Sequence, residues 1–531
     1  MTRLDPLDMH NYRIEKLPKR EKSKLEKWLA VVGPILAIAA FILFAYVIKL
    51  PFLESINPSE LVSESAKKAY EKLGAAAFIR NNEFMLAIFA ASIILWMTQA
   101  IPNYLTSLIL IIGLVLTGVL TEKTAYAQLG HPVMWLNIMS FVLASMLVAT
   151  GLAKRFALWL IIRFGKNAST IFITFIIINL VLSAFISATT AKAAILLPIF
   201  MVIAAIYGAQ SGESRNNFGR SIVLQNLLNI NLGAGAFLTG SGANLLAAAI
   251  ISGAVGSSIY FSEWMMAMLP FMLLMMFIGY FVAMKIFFPL KPEERLPQIE
   301  GGMERLKSEY EKLGRLNIQE IKSAIIFITI LIFWATDSIH GISATAVAFV
   351  GAIIALLPKF GIVKWNDVDI PWHLMLFSAG AYTLGAGLDE TDLPSISVNA
   401  FFNYLGIGNE SHFWVLYLFL TAVMIFSALI FQSKTMRAMI FIPIAIGVAN
   451  RFGYDVLSLA LPVAFMIEHV YVLPFNSKPA ALLYETDHYS LTDTFKYGFT
   501  MMVIAWVLMI VSGETWLRYL GITPNGVFGI F

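Results

Sequence analysis

The stretch Phe431-Gln432-Ser433-Lys434-Thr435-Met436-Arg437 puts two cations and two hydroxyls between apolar runs, 412–430 and 438–450. A lysine or arginine at the centre of a bilayer costs about 2.5–3.5 kcal/mol on insertion scales, so a position that keeps one marks a site. The hydroxyls of Ser433 and Thr435 flank the Lys434 ammonium. A short polar break in an apolar segment exposes helix-end amides and suits an ion or an anion. Three more breaks have this character: Ser187-Ala188-Thr189-Thr190-Ala191-Lys192, Thr239-Gly240-Ser241-Gly242-Ala243-Asn244 and Asn476-Ser477-Lys478-Pro479. Glu468-His469 sits inside an apolar run before Lys478. Glu468 reads either as a proton-coupling carboxylate or, as is favoured, as the counter-charge of a lysine or the lining of an aqueous vestibule. Lys434 and Lys478 read either as structural, each paired to a buried carboxylate such as Glu468, or, as is favoured, as functional.

The elements that must position these residues are membrane spans. The chain has 531 residues, 59% hydrophobic and 13% charged, with mean hydropathy +0.77. Many separate apolar runs approach the ~20 residues that cross a bilayer, which predicts a multi-pass protein of the cell membrane. Residues 1–27 are basic on balance and are expected in the cytoplasm. The first apolar run is too long for the core of a signal peptide. Cysteine is absent, which excludes disulfides and thiolate metal sites. No histidine cluster and no Gly-x-x-x-x-Gly-Lys-Ser/Thr loop is present, so metal, cofactor, ATP-driven and enzymatic chemistry are not expected. The 24 Met and 40 Phe read as packing and lipid-facing residues. Nucleic acid is not an expected partner; membrane lipid is.

In order, spans are expected at 28–49, 84–101, 103–121 and 133–151, followed by an interfacial helix carrying Lys154, Arg155, Arg163 and Lys166. A re-entrant hairpin is expected at 168–207, a broken helix at 220–254 and a span at 264–288. A charged linker, 291–320, returns to the cytoplasm. Spans at 321–339, 341–358 and 371–388 follow, then a hairpin (410–450), a broken helix (456–485) and a last span (496–513).

The second half repeats the first. Trp96-Met97-Thr98-Gln99-Ala100-Ile101 matches Trp334-Ala335-Thr336-Asp337-Ser338-Ile339. Each hairpin tip is followed at the same distances by a cation (Lys192, Arg437) and a proline (Pro198, Pro443). Ser241 in the first broken helix matches Ser477 in the second. Each half contributes five crossings, an odd number, so the halves run in opposite orientation. The expected fold is an all-α polytopic membrane protein of about 11 spans: an inverted five-span repeat with two re-entrant hairpins and two broken helices. Asp337, the mate of Gln99, is expected to hydrogen-bond within the frame. Asp389-Glu390, at the end of a span, is expected to be solvated.

From residue 28 on, the chain resembles the divalent anion/sodium symporter family of dicarboxylate, citrate and sulfate carriers. Trp96-Met97-Thr98-Gln99-Ala100-Ile101-Pro102 looks like the family's Trp-x-Thr-Glu-Ala-Ile-Pro. Pro371-Trp372 through Ala379-Gly380, with Gly385-Ala386-Gly387-Leu388, looks like its second-half glycine-rich stretch. The resemblance implies two sodium sites and a carboxylate-binding site at the tips and breaks. It also implies a homodimer and an elevator movement of the hairpin-bearing part, with 28–166 and 321–409 as scaffold and 167–258 and 410–531 as transport domain. The family's Ser-Asn-Thr tips are replaced here by Ala188-Thr189-Thr190 and Ser433-Lys434-Thr435. Lys478 stands at a family proline.

An ammonium cannot be a sodium ligand. The expectation is therefore a secondary carrier of small di- or tricarboxylates in which Lys434 stands in for the second sodium ion and transport is sodium-independent. Thr189, Thr190, Ser433, Lys434, Thr435, Ser241, Asn244, Asn476, Ser477 and Lys478 are the expected substrate-binding residues. Glu468, Lys192 and Arg437 are candidates for coupling, although the two cations could equally snorkel to the interface. A sodium-coupled symporter, or a carrier of sulfate or sulfonates, keeps the same fold. A membrane-embedded enzyme would need carboxylate pairs or a metal cluster. A cation antiporter would place acids at both breaks, where this chain is basic.

Overall fold

A computed structural model describes residues 6–12, 24–406, 411–431 and 433–530. Most of the expected N-terminal region, Gln432 of the second tip and residue 410 at the expected start of the second hairpin lie outside them. Among the described residues all regular structure is helical. Nine helices there are long and apolar enough to cross a bilayer, and shorter apolar helices accompany them.

The chain opens with Lys24–Ile42, extended by a π-helical turn, Leu43–Val47. The next span begins earlier than expected and runs Ala75–Thr98. Its first turns carry Arg80-Asn81-Asn82-Glu83, which reads as polar and external. The structure keeps them helical because the charges are absorbed locally. Arg80 pairs with Glu83 at 2.6 Å, and its guanidinium lies 4.1 Å from the Phe84 ring centroid. Gln99 then adopts a left-handed conformation (φ 48°), and Pro102 precedes Asn103–Leu116. That gives the break read at Ile101-Pro102-Asn103. Pro132–Thr150 and the interfacial helix Leu152–Phe164 complete the first outer group.

The first hairpin is Ala168–Phe185 and Thr189–Ile206. The first broken helix is Asn217–Gly235 and Gly242–Val255, joined through one tight turn, Leu238–Gly240. A Cβ on Gly240 would stand 2.1 Å from the Ala234 carbonyl oxygen, so this break closes only on glycine. A long span, Phe261–Phe287, follows. The linker is not featureless: Gly302–Lys312 is helical and packs against Leu152–Phe164. Arg155, read as an interfacial cation, is buried and fastens this junction. It bonds Glu320 at 2.6 Å and the carbonyls of Leu313 and Gly314 at 2.8 and 2.9 Å.

The second half repeats this order. Ile318–Ala335, Ala344–Leu356 and Trp372–Thr391 precede a helix that the sequence reading lacked, Leu393–Tyr404, the counterpart of Leu152–Phe164. The second hairpin is Phe413–Phe426 and Lys434–Phe452. The second broken helix is Val456–Phe465 and Lys478–Tyr484, separated by a much longer irregular stretch than in the first half. Leu491–Glu514 is the final long helix.

Repeat-related residues do the same structural work. Trp96 and Trp334 are both buried, and each indole N–H donates to a carbonyl at the start of the next helix, Asn103 (3.3 Å) and Ala344 (3.0 Å). Asp337 hydrogen-bonds as expected. Its carboxylate accepts from the Phe261 and Ser262 amides at 2.7 and 3.1 Å and so caps the long span. The glycine-rich stretch is a packing seam. A Cβ on Gly380 would meet Ser107 Cβ at 2.3 Å, and Ser107 Oγ donates to the Phe377 carbonyl at 3.2 Å. Close approach through small residues is the usual way helices associate in lipid. Gly380→Val should therefore separate Trp372–Thr391 from Asn103–Leu116 and destabilise the fold by at least about 1–3 kcal/mol. A thermal-unfolding scan of the detergent-solubilised variant checks this, and an unchanged midpoint would refute the seam.

Candidate substrate site at the hairpin tips

Each tip and each break exposes helix-end amides that the bilayer cannot hydrate, so each needs a local partner. Three of the four find one in a serine. Ser433 caps Lys434–Phe452 by accepting from the Met436 amide at 3.3 Å. Ser241 accepts from the Asn244 amide at 3.2 Å, and Ser477 from the Ala480 amide at 3.2 Å. The first tip differs. Ala188 precedes Thr189–Ile206 and offers no side-chain cap. The amides of its first turn are left for another acceptor.

Lys434 begins the second arm of its hairpin. Its ammonium lies 2.6 Å from Glu468 Oε2, with the lysine side chain 17% exposed and the glutamate 1% exposed. The other carboxylate oxygen accepts from Ser241 Oγ. Glu468 therefore links the second hairpin tip to the first broken helix. It is the counter-charge of Lys434. The pair costs desolvation, and removing either partner would leave a buried charge uncompensated.

Lys192 and Arg437 do not snorkel, because both side chains are fully buried. Lys192 Nζ donates to Ser183 Oγ at 2.8 Å. Arg437 donates to Ser427 Oγ at 2.9 Å, to the Ile467 carbonyl at 3.1 Å and to the Met424 carbonyl. The two cations are repeat mates, and each reaches back across its own hairpin to a serine on the opposite arm. Ser183 and Ser427 were missed in the sequence. Their signal is positional: each precedes its cation by nine or ten residues, one tip away.

Asn244 and Asn476 are buried and face backbone. Asn244 donates to the Ala234 and Phe237 carbonyls at 2.9 and 3.1 Å, which closes the first break. Asn476 accepts from the Leu473 amide at 2.7 Å and donates to the Ala428 carbonyl, tying the second break to the second tip. Ser477 also donates to the Val470 carbonyl at 3.2 Å. Thr189 is buried, whereas Thr190, Ser433 and Thr435 are half-buried. Lys478 is exposed at the start of its half-helix and makes no ion pair among the described residues.

The electrostatic balance is lopsided. Lys192 feels Lys434 and Glu468, and Arg437 feels Glu468. Among the described residues, one carboxylate faces three buried or half-buried cations, and the exposed Lys478 adds a fourth beside the second break. Such a centre repels cations and attracts anions. No group of His, Cys, Asp and Glu that could hold a metal ion occurs among the described residues. A cavity of about 570 Å³ lies elsewhere, lined in part by His131, Tyr382, Asp389, Asp392 and Asn450, and none of the tip residues lines it.

The sodium:sulfate symporter transmembrane region matches residues 75–523. A membrane protein of Cupriavidus necator is 24% identical over 459 residues, covering 82% of this chain and 87% of the relative. The sodium-dependent dicarboxylate transporter SdcS of Staphylococcus saprophyticus is 25% identical over 454 residues, 81% and 85% of the two chains. The sodium-dependent high-affinity dicarboxylate transporter 3 of Caenorhabditis elegans is 24% identical, with 75% and 76% covered. Among solved structures, the Alcanivorax borkumensis YdaH transporter superposes with a TM-score of 0.50 at 11% identity, over 75% of this chain and 87% of that one, a likeness of fold. With its spans, its inverted repeat and this match over most of its length, the chain belongs to the divalent anion:sodium symporter family, whose members are multi-pass membrane transporters and not enzymes.

Proposed function

We propose that this protein is a secondary carrier of small di- or tricarboxylate anions that works without sodium at its second hairpin, by exchange or proton coupling. The observation that carries the reading is the Lys434 ammonium, 2.6 Å from Glu468 at the junction of the two repeats. A positive charge is already fixed there by the chain. An alkali cation beside it would meet repulsion and lose a carboxylate ligand to the ammonium. The anion would bind the half-buried hydroxyls of Thr190, Ser433 and Thr435, the uncapped first turn at Thr189, and the ammonium groups of Lys434 and Lys478. Arg437 holds its tip in shape and adds to the field, and Lys192 does the same when protonated. The cargo class rests on the relatives, two of which are named as dicarboxylate transporters. The sulfate of the family's name keeps an inorganic oxyanion as the second reading.

The remaining parts of the reading follow the same architecture. The transport domain comprises 167–258 and 410–531 and moves as an elevator against a scaffold of 28–166 and 321–409 in a homodimer. The N-terminus and the linker 291–320, rich in Lys and Arg, face the cytoplasm.

Three measurements test this. In proteoliposomes loaded with a dicarboxylate, counterflow should persist when choline replaces all sodium, and strict sodium dependence would overturn the reading. Competition by unlabelled succinate, citrate and sulfate in the same assay separates the two cargo classes. Lys434→Asn should weaken anion binding by about ten- to a hundredfold, the worth of a hydrogen bond to a charged group, or should make transport depend on sodium. Unchanged affinity and unchanged ion dependence would reduce Lys434 to a packing role.

A further inference from the structure

The helix Asn217–Gly235 carries polar side chains into the driest part of the protein. Ser221, Gln225 and Asn229 follow one another at intervals of four, so they form one ridge along one face. All three are fully buried. The Ser221 hydroxyl and both amide atoms of Gln225 and of Asn229 have no protein partner among the described residues. Their neighbours are at least partly satisfied: Asn226 donates to the Ile222 carbonyl and accepts from Asn179, and Asn231 donates to the Leu227 carbonyl, leaving only the Oδ1 atoms of Asn179 and Asn231, of these three, without a partner among the described residues. Buried amides with no partner are rare, because each forfeits its hydration without return. A row of them one helical turn apart is matched by water, which takes two to four such partners.

Both ends of the ridge lead somewhere. The next position is Gly233, where a Cβ would stand 2.5 Å from Ser183 Oγ, the hydroxyl that accepts from Lys192. At the other end, Phe218 stacks on Tyr207 at 4.6 Å, and the Tyr207 hydroxyl is buried and likewise without a protein partner. That end abuts the linker, because the amides of Gln298 and Ile299 donate to the Ile206 carbonyl.

We propose that Tyr207, Ser221, Gln225 and Asn229 hold a file of water inside the first half, and that this file carries protons between the linker end and the Ser183–Lys192 pair. The proton is taken up on the Lys192 nitrogen from the file, converting amine to ammonium, and leaves that nitrogen toward the opposite side of the membrane in the other state of the carrier, so that one proton crosses per cycle. Lys192 is the group suited to this. Arg437 is held by three acceptors and Lys434 by a carboxylate, whereas Lys192 has one neutral hydroxyl. The charged groups acting on it are Lys434 from the second hairpin and Glu468 from the second break. Of the helices packed on its own, Ala168–Phe185 has no charged residue. Asn217–Gly235 has only Arg220, bonded to Asp493, and Lys478–Tyr484 has only the exposed Lys478. Leu152–Phe164 has Lys154, Arg163 and the Glu320-paired Arg155, and the short turn Met9–Tyr12, also packed on the helix of Lys192, has His10 and Tyr12.

The inference rests on the anion-carrier reading and selects proton coupling over exchange within it. The test uses the full chain in proteoliposomes, with the membrane potential clamped by potassium and valinomycin. Counterflow of succinate or sulfate at equal pH is compared with net uptake driven by an imposed pH gradient. One proton per cycle supports up to about tenfold accumulation for each pH unit. The wild type should show both activities. The double variant Gln225→Leu, Asn229→Leu should keep counterflow and lose the gradient-driven uptake. If it does not fold, Tyr207→Phe, which removes only the hydroxyl at the linker end of the file, should show the same split. Counterflow without any response to the pH gradient in the wild type overturns the file and leaves the carrier reading standing. So does a full response in either variant. Absence of counterflow for every anion overturns both.

Discussion

One carboxylate organises the centre of this protein. Glu468 accepts from Lys434 of the second hairpin and from Ser241 of the first broken helix, so both halves of the repeat meet on its two oxygens. It is nearly inaccessible to solvent. In such surroundings a lone carboxylate is untenable, and a lone ammonium equally so. The two are held only together, and the surplus of positive charge around them is what the site offers to a ligand. The neighbouring cations are braced by their own hairpins through Ser183 and Ser427, which fixes the field in place before any anion arrives.

The breaks obey a second constraint. Helices that stop inside the membrane leave amides and carbonyls that water cannot reach. Serine caps at Ser241, Ser433 and Ser477 answer the amides, while Asn244 and Asn476 answer the carbonyls. These residues make the breaks possible by satisfying their backbone ends. The first tip lacks such a cap, so the first turn at Thr189 and Thr190 differs from its three counterparts.

The outer helices are joined by a different chemistry. Trp96 and Trp334 anchor equivalent turns in the two halves, and Gly380 lets Trp372–Thr391 press against Ser107. Lipid supplies no hydrophobic drive between helices, so contact depends on backbone approach and on a few buried polar bonds. The Arg155–Glu320 pair does the same where the linker joins the interfacial helix.

Much of this was legible from the residues alone. Run lengths and polar interruptions determined the spans, the two hairpins, the two broken helices and the repeat, because a 30 Å hydrocarbon layer fixes segment length. The start of Ala75–Thr98 escaped, since Arg80 and Glu83 neutralise each other only once a helix sets them one turn apart. The helix Leu393–Tyr404 escaped because it is short. Site chemistry was legible as a list of types, with Lys434 and Glu468 among them. Which side chain faces which partner was decided by tertiary structure. Asn244 and Asn476 turn to backbone, Lys192 and Arg437 turn inward, and Lys434 meets Glu468, because a hydrogen bond is set by distance and angle, and residues far apart in the chain acquire those only when the two halves pack.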